Sequence, residues 1–147
     1  MGDTRAGAGE DALLTAIDHV GIATPSLAEA RSLYEGLFGM QALFEEDLPD
    51  QGTRVLMLGS GTSRVELLAP LFDESPVGRF LAERGAGVHH VAYRVDDLRA
   101  ALARCSAAGL QLVDQAPRVG AGGHLVAFLH PRGTGRVLIE LVEAARS

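Results

Sequence analysis

The chain repeats itself. Ala16-Ile17-Asp18-His19-Val20-Gly21-Ile22 returns as Gly87-Val88-His89-His90-Val91-Ala92-Tyr93, which sets His19 and His90 71 residues apart. Each copy leads into a helical pattern and ends on a strand-like run with a glutamate, Arg64-Val65-Glu66-Leu67-Leu68 and Val137-Leu138-Ile139-Glu140-Leu141. His19 precedes Glu66 by 47 residues, and His90 precedes Glu140 by 50. Such a repeat predicts two like units that bury their apolar faces together, with a ligand cleft between them. The 147 residues suit one domain, 16–147, built of two modules at about 16–70 and 87–143.

Periodicity gives both modules the order β-α-β-β-β. Ile17 to Ala23 reads as a buried strand, Thr24-Pro25-Ser26 as a turn and cap, and Leu27, Ala30, Leu33, Tyr34, Leu37 and Phe38 fall at helical spacing before Gly39. Strands are predicted near Ala42 to Glu46, Arg54 to Leu58 and Arg64 to Leu68. The second module reads as a strand over Val88 to Val95, then a helix capped by Asp96 and ended by Gly109. Strands near Gln111 to Asp114, His124 to Leu129 and Arg136 to Val142 complete it. Ser75-Pro76 opens a connector helix over about 75–85.

Alternation along a strand places His19 with Ile17 and Gly21, Glu66 with Arg64 and Leu68, and Glu140 with Leu138 and Val142. An ionised glutamate on so apolar a strand is costly to bury unless it is paired or binds metal. Taken singly, each of the four has an ordinary reading, as a satisfied histidine or a surface charge. At matching points of a repeat, two imidazoles and two carboxylates form a candidate site for a borderline divalent ion. By the same alternation, the side chain of His89 is expected to point away from the face of His90.

Composition removes other classes. The formal net charge is −6 and all 13 cationic residues are arginine. An acidic balance argues against nucleic acid as a partner. The absence of lysine excludes Schiff-base chemistry and a P-loop. The lone Cys105 cannot form an internal disulfide and reads as a buried apolar residue in a reducing cytoplasm. Residues 1–15 read as a disordered tail without signal-peptide character. Ala6 stands where a myristoylation motif wants Ser or Thr, and no apolar run reaches transmembrane length, so a soluble protein with no membrane partner is expected. The run Gly120-Ala121-Gly122-Gly123 reads as a hairpin rather than a phosphate loop.

Within these motifs the chain resembles the vicinal oxygen chelate superfamily of glyoxalases, bleomycin-resistance proteins and dioxygenases, and inside it the methylmalonyl-CoA epimerase family. The resemblance runs from about Ile17 to Glu143. It rests on Ile17 to Ala23, Leu67-Leu68-Ala69-Pro70-Leu71 with Asp73-Glu74-Ser75, Gly87 to Ala92, Phe128-Leu129-His130-Pro131 and Gly135 to Leu141. It implies an α+β fold in which two pseudo-symmetric βαβββ modules form a half-barrel sheet cleft. It also implies a divalent metal, Co²⁺ first and Ni²⁺, Mn²⁺ or Zn²⁺ as alternatives, on His19, Glu66, His90 and Glu140, with Glu140 in proton transfer. The substrate would be an acyl-CoA and the assembly a homodimer. Arg79, Arg84, Arg118, Arg132 and Arg136 are the candidate CoA contacts.

One departure stands out. Some members carry a second catalytic glutamate on the strand after a Gln-Gly turn, where Gln51-Gly52 here leads to Val55, and they carry Gln where this chain has Glu66. The expectation is that Glu66 serves as the second base, with Glu46, Asp47 and Asp50 in reserve. Glyoxalase I, with a similar donor set, is the nearest alternative. Extradiol dioxygenases share His19, His90 and Glu140, but Glu66 would crowd an iron centre. Metal-free antibiotic-binding proteins of this fold would have lost ligands that this chain keeps.

Overall fold

The computed structural model describes residues 12–60 and 62–144, so most of the expected N-terminal tail lies outside the described residues. The elements are β1 (Ala16–Ala23), α1 (Leu27–Arg31), β2 (Gln41–Leu48), β3 (Thr53–Ser60), β4 (Ser63–Pro70), α2 (Pro76–Arg84), β5 (Gly87–Arg94), α3 (Leu98–Ala107), β6 (Arg118–Val119), β7 (Leu125–Leu129) and β8 (Ile139–Glu143). The helical pattern after Ser26 holds its α-form only through Arg31 and then widens into a π-helical segment, Ser32–Leu37. There Phe38 N–H donates to Leu33 C=O at 2.9 Å, five residues back.

The strands make one curled sheet in the order β2-β3-β4-β1-β5-β8-β7-β6. The repeat predicted two like sheets; they are joined edge to edge through the antiparallel pair β1–β5. Each half has the same internal order, with one parallel pairing, β1–β4 in one and β5–β8 in the other. The result is the α+β half-barrel of the vicinal oxygen chelate fold.

Alternation sorts the two faces. On β8, Leu141 joins Leu98, Ala101, Leu102 and Cys105 of α3 in a core on the helix side, whereas Val142 packs with Ala92 and Val126 on the other face. On β4, Leu67 clusters with Leu56 and Leu58 and with Leu27 and Ala30 of α1, while Leu68 packs with Ala23, Val55 and Val77. Helices α1 and α3 therefore cover one face of the sheet, while α2 packs on the other through Val77. Glu66 and Glu140, each one residue from a leucine of the helix side, are presented on the other.

The termini of these elements differ from the expected ones for local reasons. Asp97 rather than Asp96 caps α3, accepting from Ala100 N–H at 3.1 Å, while Glu143 accepts from Leu98 N–H at 2.8 Å. The strand expected over Gln111 to Asp114 shrinks to a single bridge between Leu112 and Leu129. Asp114 takes Phe128 N–H on its side chain at 2.8 Å, so a carboxylate replaces the backbone carbonyl a ladder would use. Pairing with β7 resumes only at Arg118. The last strand starts at Ile139 instead of Arg136, because Arg136 is left-handed (φ 71°) and its N–H turns back to Pro131 C=O at 2.8 Å. Among the described residues, no helix is long and apolar enough to cross a membrane.

Candidate metal centre

Each of the four central strands carries one candidate ligand: Glu66 on β4, His19 on β1, His90 on β5 and Glu140 on β8. The register arranges them as two cross-strand rows. Glu66, Gly21 and His90 lie side by side, and so do His19, Ala92 and Glu140. The rows exchange under the pseudo-twofold, which takes Gly21 to Ala92 and His19 to His90. Gly21 is needed for space, since a Cβ there would run into the His90 imidazole.

The donor atoms converge. The Nε2 atoms of His19 and His90 lie 3.2 Å apart, Glu140 Oε1 lies 3.2 Å from each, and Glu66 Oε1 lies 3.6 Å from each. All four residues are buried. Ligand-to-ligand spacings of about 3 Å follow from bonds of roughly 2.1 Å to one shared ion. Glu140 Oε1 is buried and, among the described residues, takes part in no well-directed hydrogen bond despite its two imidazole neighbours. Lone pairs aimed at a common point rather than at donors are what a cation requires. The residues present therefore fit a divalent ion.

Two residues that the sequence did not single out support His19. Asp18 Oδ2 lies 2.8 Å from His19 Nδ1, and its Oδ1 accepts from Arg94 at 2.7 Å. Burial opposes ionisation of Asp18, but hydrogen bonds from His19 and Arg94 outweigh it and hold the carboxyl well below the usual range. Burial also opposes charge on His19; Asp18, Glu140 and Glu66 overcome it and push the imidazole up to about 11. Glu140 is held low by the two imidazoles against its own burial. Without metal, a proton on His19 balances the buried carboxylates, and a divalent ion would take its place.

His89 requires a correction. Its side chain lies beside His90, with the two Nδ1 atoms 3.0 Å apart. The register pairs Gly21 with His90 and Ile22 with Val88, so His89 is the extra residue of a β-bulge, and strict alternation fails there. A like bulge leaves Asp18 unpaired between Ile17 and His19. Burial, and next the neighbouring His90, pushes His89 down to about 4.

Two chambers meet at His89 and His90. One, of about 380 Å³, has largely apolar walls that include Val55, Leu68, Val77 and Phe128, and Glu66 borders it. The other, of about 460 Å³, is flanked by Arg79, Arg84 and Arg136. Arg118 borders the first and Arg132 neither. The reserve carboxylates stand apart from the imidazoles: Glu46 accepts from Gly122 N–H at 3.0 Å, Asp47 pairs with Arg54, and Asp50 is exposed at the rim.

Comparison with known proteins agrees with this architecture. A profile described as the Glyoxalase/Bleomycin resistance protein/Dioxygenase superfamily matches residues 18–128. The uncharacterised protein YqjC of Bacillus subtilis is 41% identical over 86% of this chain and 91% of its own. The methylmalonyl-CoA epimerase of Mycobacterium tuberculosis superposes with a TM-score of 0.87 at 40% identity, over 91% of each chain. A variant of the Streptomyces coelicolor epimerase, in complex with 2-nitronate-propionyl-CoA, superposes with a TM-score of 0.87 at 37% identity, over 90% of this chain and 96% of that one. The chain belongs to the glyoxalase/bleomycin resistance protein/dioxygenase superfamily and, within it, to the methylmalonyl-CoA epimerase family.

Proposed function

We propose that this chain is a metal-dependent methylmalonyl-CoA epimerase that moves the C2 proton between the two faces of its substrate. The observation that carries the reading is the placement of two buried carboxylates, Glu66 and Glu140, from pseudo-symmetric strands around one pair of imidazoles. Epimerisation needs a base on one face of C2, an acid on the other, and stabilisation of the charge that develops between thioester and carboxylate. His19, Glu66, His90 and Glu140 would hold a divalent ion, which would supply that stabilisation as a Lewis acid.

The chain's own residues do the rest. Glu66 borders the apolar chamber and takes the proton at one face; Glu140, between the imidazoles, serves the other. Val55 puts an apolar wall in that chamber, which leaves Glu66 as its one buried carboxylate among the described residues. Leu68, Val77 and Phe128 exclude water, which strengthens every electrostatic interaction at the reacting carbon. The arginines of the second chamber would face the phosphates of CoA. The reading also takes the protein as a cytoplasmic homodimer, with Co²⁺ as the first metal to test. Sedimentation of the purified protein decides its oligomeric state.

The deciding experiment is proton NMR of methylmalonyl-CoA in D₂O with cobalt-loaded protein against a metal-free control. Metal-dependent loss of the C2–H signal is expected. No loss, with turnover of the hemithioacetal of glutathione and methylglyoxal, would instead assign a glyoxalase. Glu66→Gln should retain metal and lose exchange on one face; unchanged exchange on both faces would remove Glu66 from the role.

A further inference from the structure

The two histidines have unlike supports at equivalent places. Asp18 and His89 occupy corresponding positions of the repeat, both are the extra residue of a bulge in the β1–β5 pairing, and each bonds the Nδ1 of the histidine that follows it. Both Nε2 atoms face the carboxylates, so an imidazole that binds metal there carries its remaining proton on Nδ1. His19 then donates to a carboxylate, itself fixed by Arg94. His90 donates to a second imidazole. For that bond to exist, His89 must present a lone pair at Nδ1 and carry its own proton on Nε2.

We propose that His89 is a positioning residue, an uncharged acceptor that fixes the tautomer and ring orientation of His90 as Asp18 does for His19. The inference rests on the metal reading of the centre. His89 is itself held in place: its ring meets Phe80 edge-on with centroids 4.9 Å apart, and His90 is boxed by His19 and Phe128, at 5.3 and 5.5 Å. A neutral acceptor withdraws less of the Nδ1 proton than a carboxylate does, so His90 is the less basic of the two ligands and leaves more positive charge on the ion. Asp at both positions would add a further negative charge to a centre that already holds Asp18, Glu66 and Glu140. His89 also stands on the wall the two chambers share.

The test reads metal binding and tautomers, with no acyl-CoA present. In long-range ¹H–¹⁵N NMR of the zinc-loaded wild-type protein, His90 should be protonated on Nδ1 and His89 on Nε2; a proton on His89 Nδ1 overturns the proposal. By chelator competition, His89→Leu should weaken zinc binding about 10- to 100-fold. His89→Asn, which offers a carbonyl oxygen where Nδ1 stood, should restore most of that loss. Wild-type affinity in a folded His89→Leu protein, or an Asn variant as weak as the Leu variant, also overturns it. Failure of the wild type to bind zinc at all overturns the metal centre together with this inference, whereas binding with the wrong tautomer overturns this inference alone.

Discussion

Gly21→Ala sets the repeat and the structure against each other. The equivalent residue, Ala92, carries a methyl group directly across from His19, so sequence symmetry predicts that alanine at 21 is harmless. The structure predicts otherwise. A Cβ at Gly21 would lie 2.7 Å from His90 Nε2 and closer still to its Cε1 and Nδ1. Relief of the closest of these to an ordinary contact of about 3.5–4.0 Å displaces the ring by roughly 1.5–2 Å, several times the ~0.2 Å tolerance of a metal–ligand bond. Overpacking of this kind costs about 1–3 kcal/mol, and the cost falls on one of two quantities. If the ring swings aside in the metal-free protein, stability changes little and the strain is met on binding, weakening metal affinity about 5- to 150-fold at ~1.4 kcal/mol per tenfold. If the surrounding packing holds the ring, the same 1–3 kcal/mol is lost from unfolding stability. Chelator competition and denaturant unfolding of one preparation measure both. Gly36→Ala is the control, because its nearest contact would be Ser32 Oγ at 3.9 Å. Wild-type affinity together with wild-type stability in Gly21→Ala would refute the close approach of His90.

Two further perturbations follow from the site. In the metal-free protein the raised His19 stabilises the fold fully below its unfolded value near 6.5, and that contribution is lost as pH rises toward about 11. Denaturation in chelator should therefore show stability falling from pH 6.5 to 9, by at most about 1.4 kcal/mol per pH unit for one proton. The depressed Asp18 gives a contribution that is fully present above its unfolded value near 4 and is lost only in acid, so it stays constant across that window and adds no slope. A flat metal-free profile would refute the charge balance, and metal should flatten it. Arg136 is the one non-glycine residue with positive φ among those described. Arg136→Gly should leave stability unchanged or raise it by up to about 1 kcal/mol and should raise KM for methylmalonyl-CoA without altering metal affinity; an unchanged KM would remove Arg136 from the CoA groove.

The residues that the sequence could place are those whose spacing survives in a single strand. His19, Glu66, His90 and Glu140 were legible because the pattern recurs, and the two glutamates also because each sits one residue from a leucine of the core. The module order was legible for the same reason. Strand ends were not. Asp114 gives its side chain to Phe128 N–H, and Arg136 turns left-handed; both are local competitions for backbone groups that periodicity does not register. Gly21 was visible only as a small residue. That an imidazole lies against it depends on the register between β1 and β5, which no single strand encodes.

His89 was misplaced, and Asp18 passed over, by the rule that found the ligands. Period-two alternation sends the neighbour of an inward histidine outward, and it holds wherever the ladder is regular. A bulge inserts one residue and lets two consecutive side chains serve the same site. The β1–β5 seam has such a bulge on each strand, at positions 18 and 89, separated by the 71 residues that separate the histidines themselves. The repeat thus extends to its irregularities. Each histidine of the pair has the residue before it at its Nδ1. In this chain the geometry is kept while the chemistry differs: a carboxylate backed by arginine supports His19, and a neutral imidazole supports His90. A symmetric scaffold with unlike supports gives two ligands of different basicity, and it does so without moving either Nε2 atom from its place between the two glutamates.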